Sequence, residues 1–255
     1  MDLHIILDID QTLVDNMSLY EYEKNKDKLR KPDFIKESMC IWTRPHLKEF
    51  IDFLDKNVKY ISIWTNGTFS WLYYVLTTIL SKYLPKKRFL LLLSVDYSIK
   101  QSIEQNGMTT MLPIKNIEEM IKRFPNNNIS LYNTVLIDDN YHNCIFNRNN
   151  TIPIKKYYAL EEVKGTRNKD LLFIKQIILE LKNSKNVQKT LKGVYDGIAD
   201  YNKLFTNIQQ NTQLITDTGS HFSFILFFLN KITSSVFSAN HSRISLLTPM
   251  VGIPA

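Results

Sequence analysis

Glycine is scarce in this sequence, with 7 residues among 255. That disfavours any fold that needs several glycine-rich phosphate loops. Cysteine is scarcer still, and Cys40 and Cys144 make neither a disulfide framework nor a four-ligand zinc site. No apolar run approaches the ~20 residues that a membrane-spanning helix needs. The start, Met1-Asp2-Leu3-His4, lacks the cationic and long apolar regions of a signal peptide. An intracellular protein, cytoplasmic or nuclear, is expected. There is no arginine-rich run and no aromatic-basic repeat, so no specific nucleic-acid binding is predicted.

Hydrophobic residues make up 44% and charged residues 22%, a globular composition. The net charge of +7 favours anionic partners, although a solvated lysine-rich surface is the plainer account of it. The length suits one α/β domain with a short extension. The expected boundary falls at 193, with a domain over 1–193 and an extension of unassigned role over 194–255. Within the extension, FSFILFFL (222–229) is only eight residues long before Asn230 and Lys231 interrupt it. A packed or interfacial segment is expected there, with membrane anchoring the lesser alternative.

Periodicity predicts strands over 3–7, 38–43, 58–64, 89–95, 134–137 and 151–154. A polar stretch rich in Lys and Tyr, from about 16 to 37, is expected to be a loop or flap. Pro45 suits the first turn of a helix carrying Leu47, Phe50, Ile51 and Leu54. A second helix is expected to place Phe69, Leu72, Leu76, Ile79 and Leu80 on one side, and others are expected over 117–124 and 169–182. The stretch 96–114 reads as irregular, with room for a small hairpin insert. Strands alternating with helices predict a mainly parallel, Rossmann-like sheet covered on both faces.

Three polar clusters stand directly after predicted strands: Asp8/Asp10, Thr65/Asn66 and Asp138/Asp139. Ligand sites in open parallel sheets gather at the carboxyl ends of the strands, so the three are expected to meet in one crevice. One acidic pair at a strand end is usually a turn or a cap. Three such clusters, each ending an apolar strand, shift that balance. Grouped carboxylates require a cation, and all-oxygen ligands suit Mg²⁺. One carboxylate can attack phosphorus, while another two residues on protonates the leaving oxygen and later takes a proton from water. Positive charge and hydrogen-bond donors must offset the phosphate dianion. The Thr65 hydroxyl, backbone N–H groups and a lysine are candidates.

These residues resemble a known family. LDIDQTLVD resembles the first motif of the haloacid-dehalogenase superfamily. WTRPHLKEFIDFL resembles the arginine-proline helix of RNA polymerase II carboxy-terminal-domain phosphatases, the NLI-interacting-factor-like family. ISIWTNGT, PIKNIEEM and VLIDDN resemble the second, third and fourth motifs, and DLLFIKQIILELKNSKNVQKTL resembles the closing helix and its tail. The resemblance implies a haloacid-dehalogenase fold without a large cap domain, and a Mg²⁺-dependent phosphoserine/phosphothreonine protein phosphatase. It makes Asp8 nucleophile and metal ligand. Asp10 becomes general acid/base, with its backbone carbonyl on the metal. Thr12 would brace the nucleophile loop. Thr65, Asn66 and Lys115 would hold phosphate, Asn66 through its backbone N–H. Asp139 would complete the metal site, and Asp138 would orient Lys115 or a metal-bound water. Lys100 rivals Lys115, because the stretch before the third motif matches poorly. The implied partner is a phosphorylated protein or peptide, with the polymerase tail as one candidate.

Departures from the pattern bear on substrate choice. Gln11 replaces a frequent acidic residue, Thr65-Asn66-Gly67 replaces Thr-Ala-Ser, and the fourth motif lacks its following proline. Two alternatives stand beside the protein phosphatase. One is a non-catalytic binding module on the same fold, which predicts loss of metal ligands. The other is a phosphatase for small molecules or nucleic-acid ends. The five histidines show no ligand spacing and are expected to be structural or superficial. Trp42, Trp64 and Trp71 are expected in the core.

Overall fold

A computed structural model describes residues 1–83, 89–105, 108–125, 127–162 and 168–196. The apolar segment 222–229 and nearly all of the expected extension lie outside the described residues. The chain opens with β1 (His4–Leu7), β2 (Val14–Ser18), α1 (Leu19–Asn25), β3 (Phe34–Lys36) and β4 (Met39–Thr43). Next come α2 (Leu47–Asn57), β5 (Tyr60–Trp64), α3 (Phe69–Tyr74), a π turn (Val75–Ile79) and β6 (Leu92–Leu93). The hairpin β7 (Ile99–Gln105) and β8 (Met108–Ile114) leads to α4 (Ile117–Arg123), β9 (Thr134–Asp138) and α5 (Tyr141–Phe146). The described chain closes with β10 (Thr151–Pro153), α6 (Asp170–Lys182) and α7 (Val187–Asp196).

The central sheet has the order β10-β9-β1-β5-β6, and every neighbouring pair is parallel. Alternation along β1 explains why both faces are covered. Ile5 and Leu7 join Ile61, Ile63, Val135 and Ile137 against α2 and α6. Ile6 joins Trp64 and Leu136 against Ile117 and Met120 of α4. Helix α2 turns Leu47, Phe50, Ile51 and Leu54 inward. Truncating one of these to alanine would cost about 2–5 kcal/mol. The expected α/β architecture is therefore the one observed. Among the described residues, no helix is long and apolar enough to cross a membrane.

Several local expectations are corrected. The polar stretch 16–37 is not a plain loop, since β2, β4 and β3 form an antiparallel sheet with α1 on it. A capping box between Ser18 and Glu21 starts α1 despite its polar composition. The strand expected over 89–95 pairs only at Leu92–Leu93, at the sheet edge. Helix α2 begins at Leu47 rather than at Pro45, because His46 takes the left-handed conformation at φ 66°. Phe69 is exposed, whereas Leu72, Val75 and Ile79 form the buried side, as the helix passes into the π turn.

His4, the first residue of β1, is fully buried and is bonded to Ser62 Oγ at 2.8 Å and to Thr134 Oγ1 at 3.2 Å. Burial pulls its pKa from 6.5 down to about 3. Below pH 6.5 the unfolded chain takes up a proton that the folded chain refuses, so this residue withdraws stability as pH falls towards 3. The slope is at most about 1.4 kcal/mol per pH unit. Thermal melts at pH 6.5 and pH 5 should show a larger loss in the wild type than in His4→Gln. The buried acids shift both proteins alike, and equal losses would refute the buried neutral imidazole.

Candidate active site

The site lies at the carboxyl ends of β1, β5 and β9. Asp8 follows β1, Thr65 follows β5, and Asp138 ends β9 with Asp139 next in the chain. Parallel pairing in register (Leu7↔Ile63 and Leu7↔Ile137) brings the three ends level. The expected convergence is thus a product of strand register.

Lys115 is the central cation. It is buried, and its Nζ contacts Asp8 Oδ1 directly and Asp138 Oδ2 at 2.7 Å. Burial pulls its pKa down, but the charges of Asp138 and Asp8 outweigh that and hold the amine above its ordinary range. Lys100 does not compete for this place. It is exposed on β7, opposite Pro113, and makes no ion pair with the cluster among the described residues. Two asparagines of the α5 region, which the sequence reading missed, fix the lysine's backbone. Asn143 Oδ1 accepts from Lys115 N at 3.0 Å, and Asn143 Nδ2 donates to Asp138 Oδ2 at 3.1 Å. Asn147 Nδ2 donates to Lys115 O at 2.5 Å, and Asn147 Oδ1 accepts from Ile117 N at 3.0 Å. Their spacing of four residues, facing the third motif, was the available signal.

One oxygen each of Asp8, Asp138 and Asp139 lies within 4.8 Å of the others. Three carboxylates face a single lysine. Burial, opposed by Lys115 and reinforced by Asp139 and Asp10, raises Asp8 to about 7. Burial likewise raises Asp138 and Asp139 above the carboxylate range. Such a surplus of buried negative charge fits a hard divalent cation. Asp138 has both oxygens engaged, Oδ2 by Lys115 and Asn143, and Oδ1 by Asn140 N at 2.7 Å. It therefore suits the orienting role. Asp8 and Asp139 keep lone pairs for an ion, with Asp139 Oδ1 steadied by Thr12 Oγ1 at 2.7 Å.

Asp10 is held apart from the cluster by side-chain donors. Thr65 Oγ1 donates to it at 3.1 Å, Asn16 Nδ2 at 3.2 Å, and Trp71 Nε1 at 2.9 and 3.1 Å to its two oxygens. Burial raises its pKa, and the bonds from Thr65 and Trp71 work against that rise. Trp42 and Trp64 are core residues as expected, but Trp71 is half-buried and serves the site. Gly67 is required by close approach, because a Cβ there would stand 2.7 Å from Trp71 Cδ1. Gly67 N also donates to Thr65 Oγ1 at 2.8 Å.

The Asn66 side chain does not turn to the carboxylates. Its Nδ2 donates to Pro113 O at 3.0 Å, and its Oδ1 accepts from Ser98 Oγ at 2.7 Å, which ties the β7–β8 hairpin to the turn. Any contact with phosphate falls to its backbone. Beneath the first motif lies Arg44, fully buried, with Nη2 donating to Gln11 O at 3.3 Å and to Lys155 O. Gln11 itself takes φ 59°.

The model of the NLI interacting factor-like phosphatase family matches residues 3–188. No curated protein matches the chain. Among solved structures, Fcp1, an essential RNA polymerase II CTD phosphatase, is 16% identical, with 75% of this chain and 70% of that one covered at a TM-score of 0.49. Fission yeast Fcp1, as an arginine-to-alanine variant with beryllium fluoride, is 16% identical over 77% of this chain and 55% of that one, at a TM-score of 0.40. A Had-superfamily hydrolase from Ehrlichia chaffeensis is 16% identical over 71% of this chain and 97% of that one, at a TM-score of 0.41. The family match spans most of the chain and all three polar clusters of the site, and the chain belongs to the NLI interacting factor-like phosphatase family.

Proposed function

We propose that this chain is a Mg²⁺-dependent phosphatase for phosphoserine or phosphothreonine in proteins, with Asp8 as nucleophile. Family membership supports hydrolysis of a phosphoric monoester. The observation that carries the finer reading is the meeting of Asp8, Asp10, Thr65, Lys115 and Asp139 at the ends of three parallel strands.

In this reading an Asp8 carboxylate oxygen attacks phosphorus as the phosphorus–oxygen bond to the serine or threonine breaks. The Asp10 carboxyl gives its proton to the departing oxygen, leaving an aspartyl-phosphate on Asp8. The Asp10 carboxylate then takes a proton from water as that water attacks phosphorus, which releases phosphate and restores Asp8. Lys115 Nζ lies against Asp8 and suits a phosphoryl oxygen, while the Thr65 turn offers further donors. Asp8, Asp139 and the Asp10 backbone carbonyl would hold Mg²⁺, with Asp138 orienting Lys115. When bound, the ion neutralises charge on the phosphoryl group and keeps Asp8 ionised.

A macromolecular substrate is supported by what lies between the second and third motifs. The described insert is one two-stranded hairpin rather than a cap domain. The net charge of +7 favours a phosphorylated partner. The polymerase tail is a candidate because it is named for the Fcp1 structures. A nuclear or cytoplasmic location accords with such partners. A domain ending near 193 accords with the family match, which runs over residues 3–188.

Three outcomes are expected. Asp8→Asn should lower phosphopeptide turnover by a factor on the order of 10⁴ or more with the thermal midpoint retained, and robust turnover would remove Asp8 from its role. Dialysis against chelator should abolish turnover of phosphopeptides and p-nitrophenyl phosphate, with Mg²⁺ restoring both. Undiminished activity in chelator would exclude the metal. Trp71→Phe removes a bond that lowers the Asp10 pKa, so that carboxyl should titrate higher. The corresponding limb of the kcat/KM profile should move to higher pH. The rate should fall by less than the ~10²–10⁴-fold that acid–base catalysis contributes, and a limb that stays in place would detach Asp10 from it.

A further inference from the structure

The segment after β10 crosses the rim of the site and is pinned at both ends. Ile154 N donates to Asp138 O at 3.0 Å, and Tyr157 N donates to Gln11 O at 2.7 Å. Ala159 N reaches Asp15 Oδ2 at 2.8 Å, and the buried Arg44 joins the carbonyls of Gln11 and Lys155. The backbone between Ile154 and Tyr157 thus spans from the end of β9 to the nucleophile turn. It carries two lysines.

The two differ in their commitments. Lys155 is paired with Glu161 at 3.0 Å. Lys156 is half-exposed and has no hydrogen-bond or ion-pair partner among the described residues. Its charge acts instead on Asp139, whose pKa it helps to pull down. A cavity of about 180 Å³ opens here, lined by Lys155, Lys156, Tyr158, Glu161, Glu162 and Asn168. Its carboxylates are already engaged. Glu161 holds Lys155, and Glu162 holds Arg30 Nε at 3.0 Å and Tyr157 Oη at 3.2 Å. With ~30 Å³ per water molecule, the space admits an oxyanion together with several waters. Lys156 is left as the uncommitted cation of a preformed concavity beside the reaction centre.

We propose that Lys156 and this cavity form an accessory subsite for a second anionic group on the substrate, a phosphoryl or carboxylate side chain flanking the phosphoresidue that reacts at Asp8. This rests on the protein-phosphatase reading above. Lys156 is then a specificity-determining residue. It is distinct from Lys115, which is buried between two aspartates. Its contribution comes from ground-state attraction and belongs in KM rather than kcat.

The test uses the full chain with Mg²⁺ and three phosphopeptides that differ at one flanking position, carrying alanine, glutamate or phosphoserine. The wild type should favour glutamate and phosphoserine over alanine by roughly 2–5-fold in kcat/KM, as expected for a partly exposed ion pair. Lys156→Arg should keep that preference, and Lys156→Glu should abolish or reverse it. Preference for phosphoserine alone would assign the subsite to a dianion. Equal kcat/KM for all three peptides in the wild type would overturn the subsite alone, as would a preference that survives in Lys156→Glu. Absence of peptide turnover while p-nitrophenyl phosphate is hydrolysed would overturn the protein-substrate reading and the subsite with it.

Discussion

Lys115 between Asp8 and Asp138 is the contact on which the arrangement depends. All three groups are buried, and removing charges from water costs several kcal/mol each unless they are paired and hydrogen-bonded. The lysine meets that cost only because β1 and β9 finish level and β8 delivers Lys115 between them. Its main chain is locked by Asn143 and Asn147. Register, hairpin exit and helix placement therefore serve one ammonium group. Stability and chemistry are coupled here, since losing the lysine would leave facing carboxylates without their counter-ion.

A second constraint operates beneath the first motif. Arg44 is fully buried, yet Asp170, 3.9 Å away, is the carboxylate nearest to an ion pair with it. Burial draws its pKa down, and the charges of Asp170 and Asp139 oppose this. Its Nη2 gathers two carbonyls, from Gln11 and Lys155, that belong to separate segments of the chain. One residue thus ties the turn after β1 to the segment that carries Lys156. The arginine-proline signature marks this brace in the sequence, although Pro45 itself lies outside α2.

The parts of the fold that were legible in the sequence are those ruled by a single period. Apolar runs ending in Asp8, Thr65 and Asp138 read as parallel strands, because a strand buried on both faces is apolar throughout. The site was legible for the same reason, as its acids stand where those runs stop. The antiparallel β2–β4–β3 sheet was hidden, since its strands are short and interleaved with Lys and Tyr. The choice between Lys100 and Lys115 was open because they lie on opposite strands of one hairpin, Lys100 opposite Pro113 and Lys115 just beyond β8. Only the hairpin's exit direction decides between them. Asn143 and Asn147 gave no apolar pattern, and Trp71 looked like core because its ring packs against apolar residues while its N–H points to Asp10.

The placement of Trp71 has an optical corollary. The chain has three tryptophans, and two of them, Trp42 and Trp64, are wholly shielded from solvent. Of the three, Trp71 is the one bonded to Asp10. A group that enters beside Asp10 alters the polarity and hydrogen bonding of that indole directly. Intrinsic fluorescence is therefore a label-free readout of change beside Asp10.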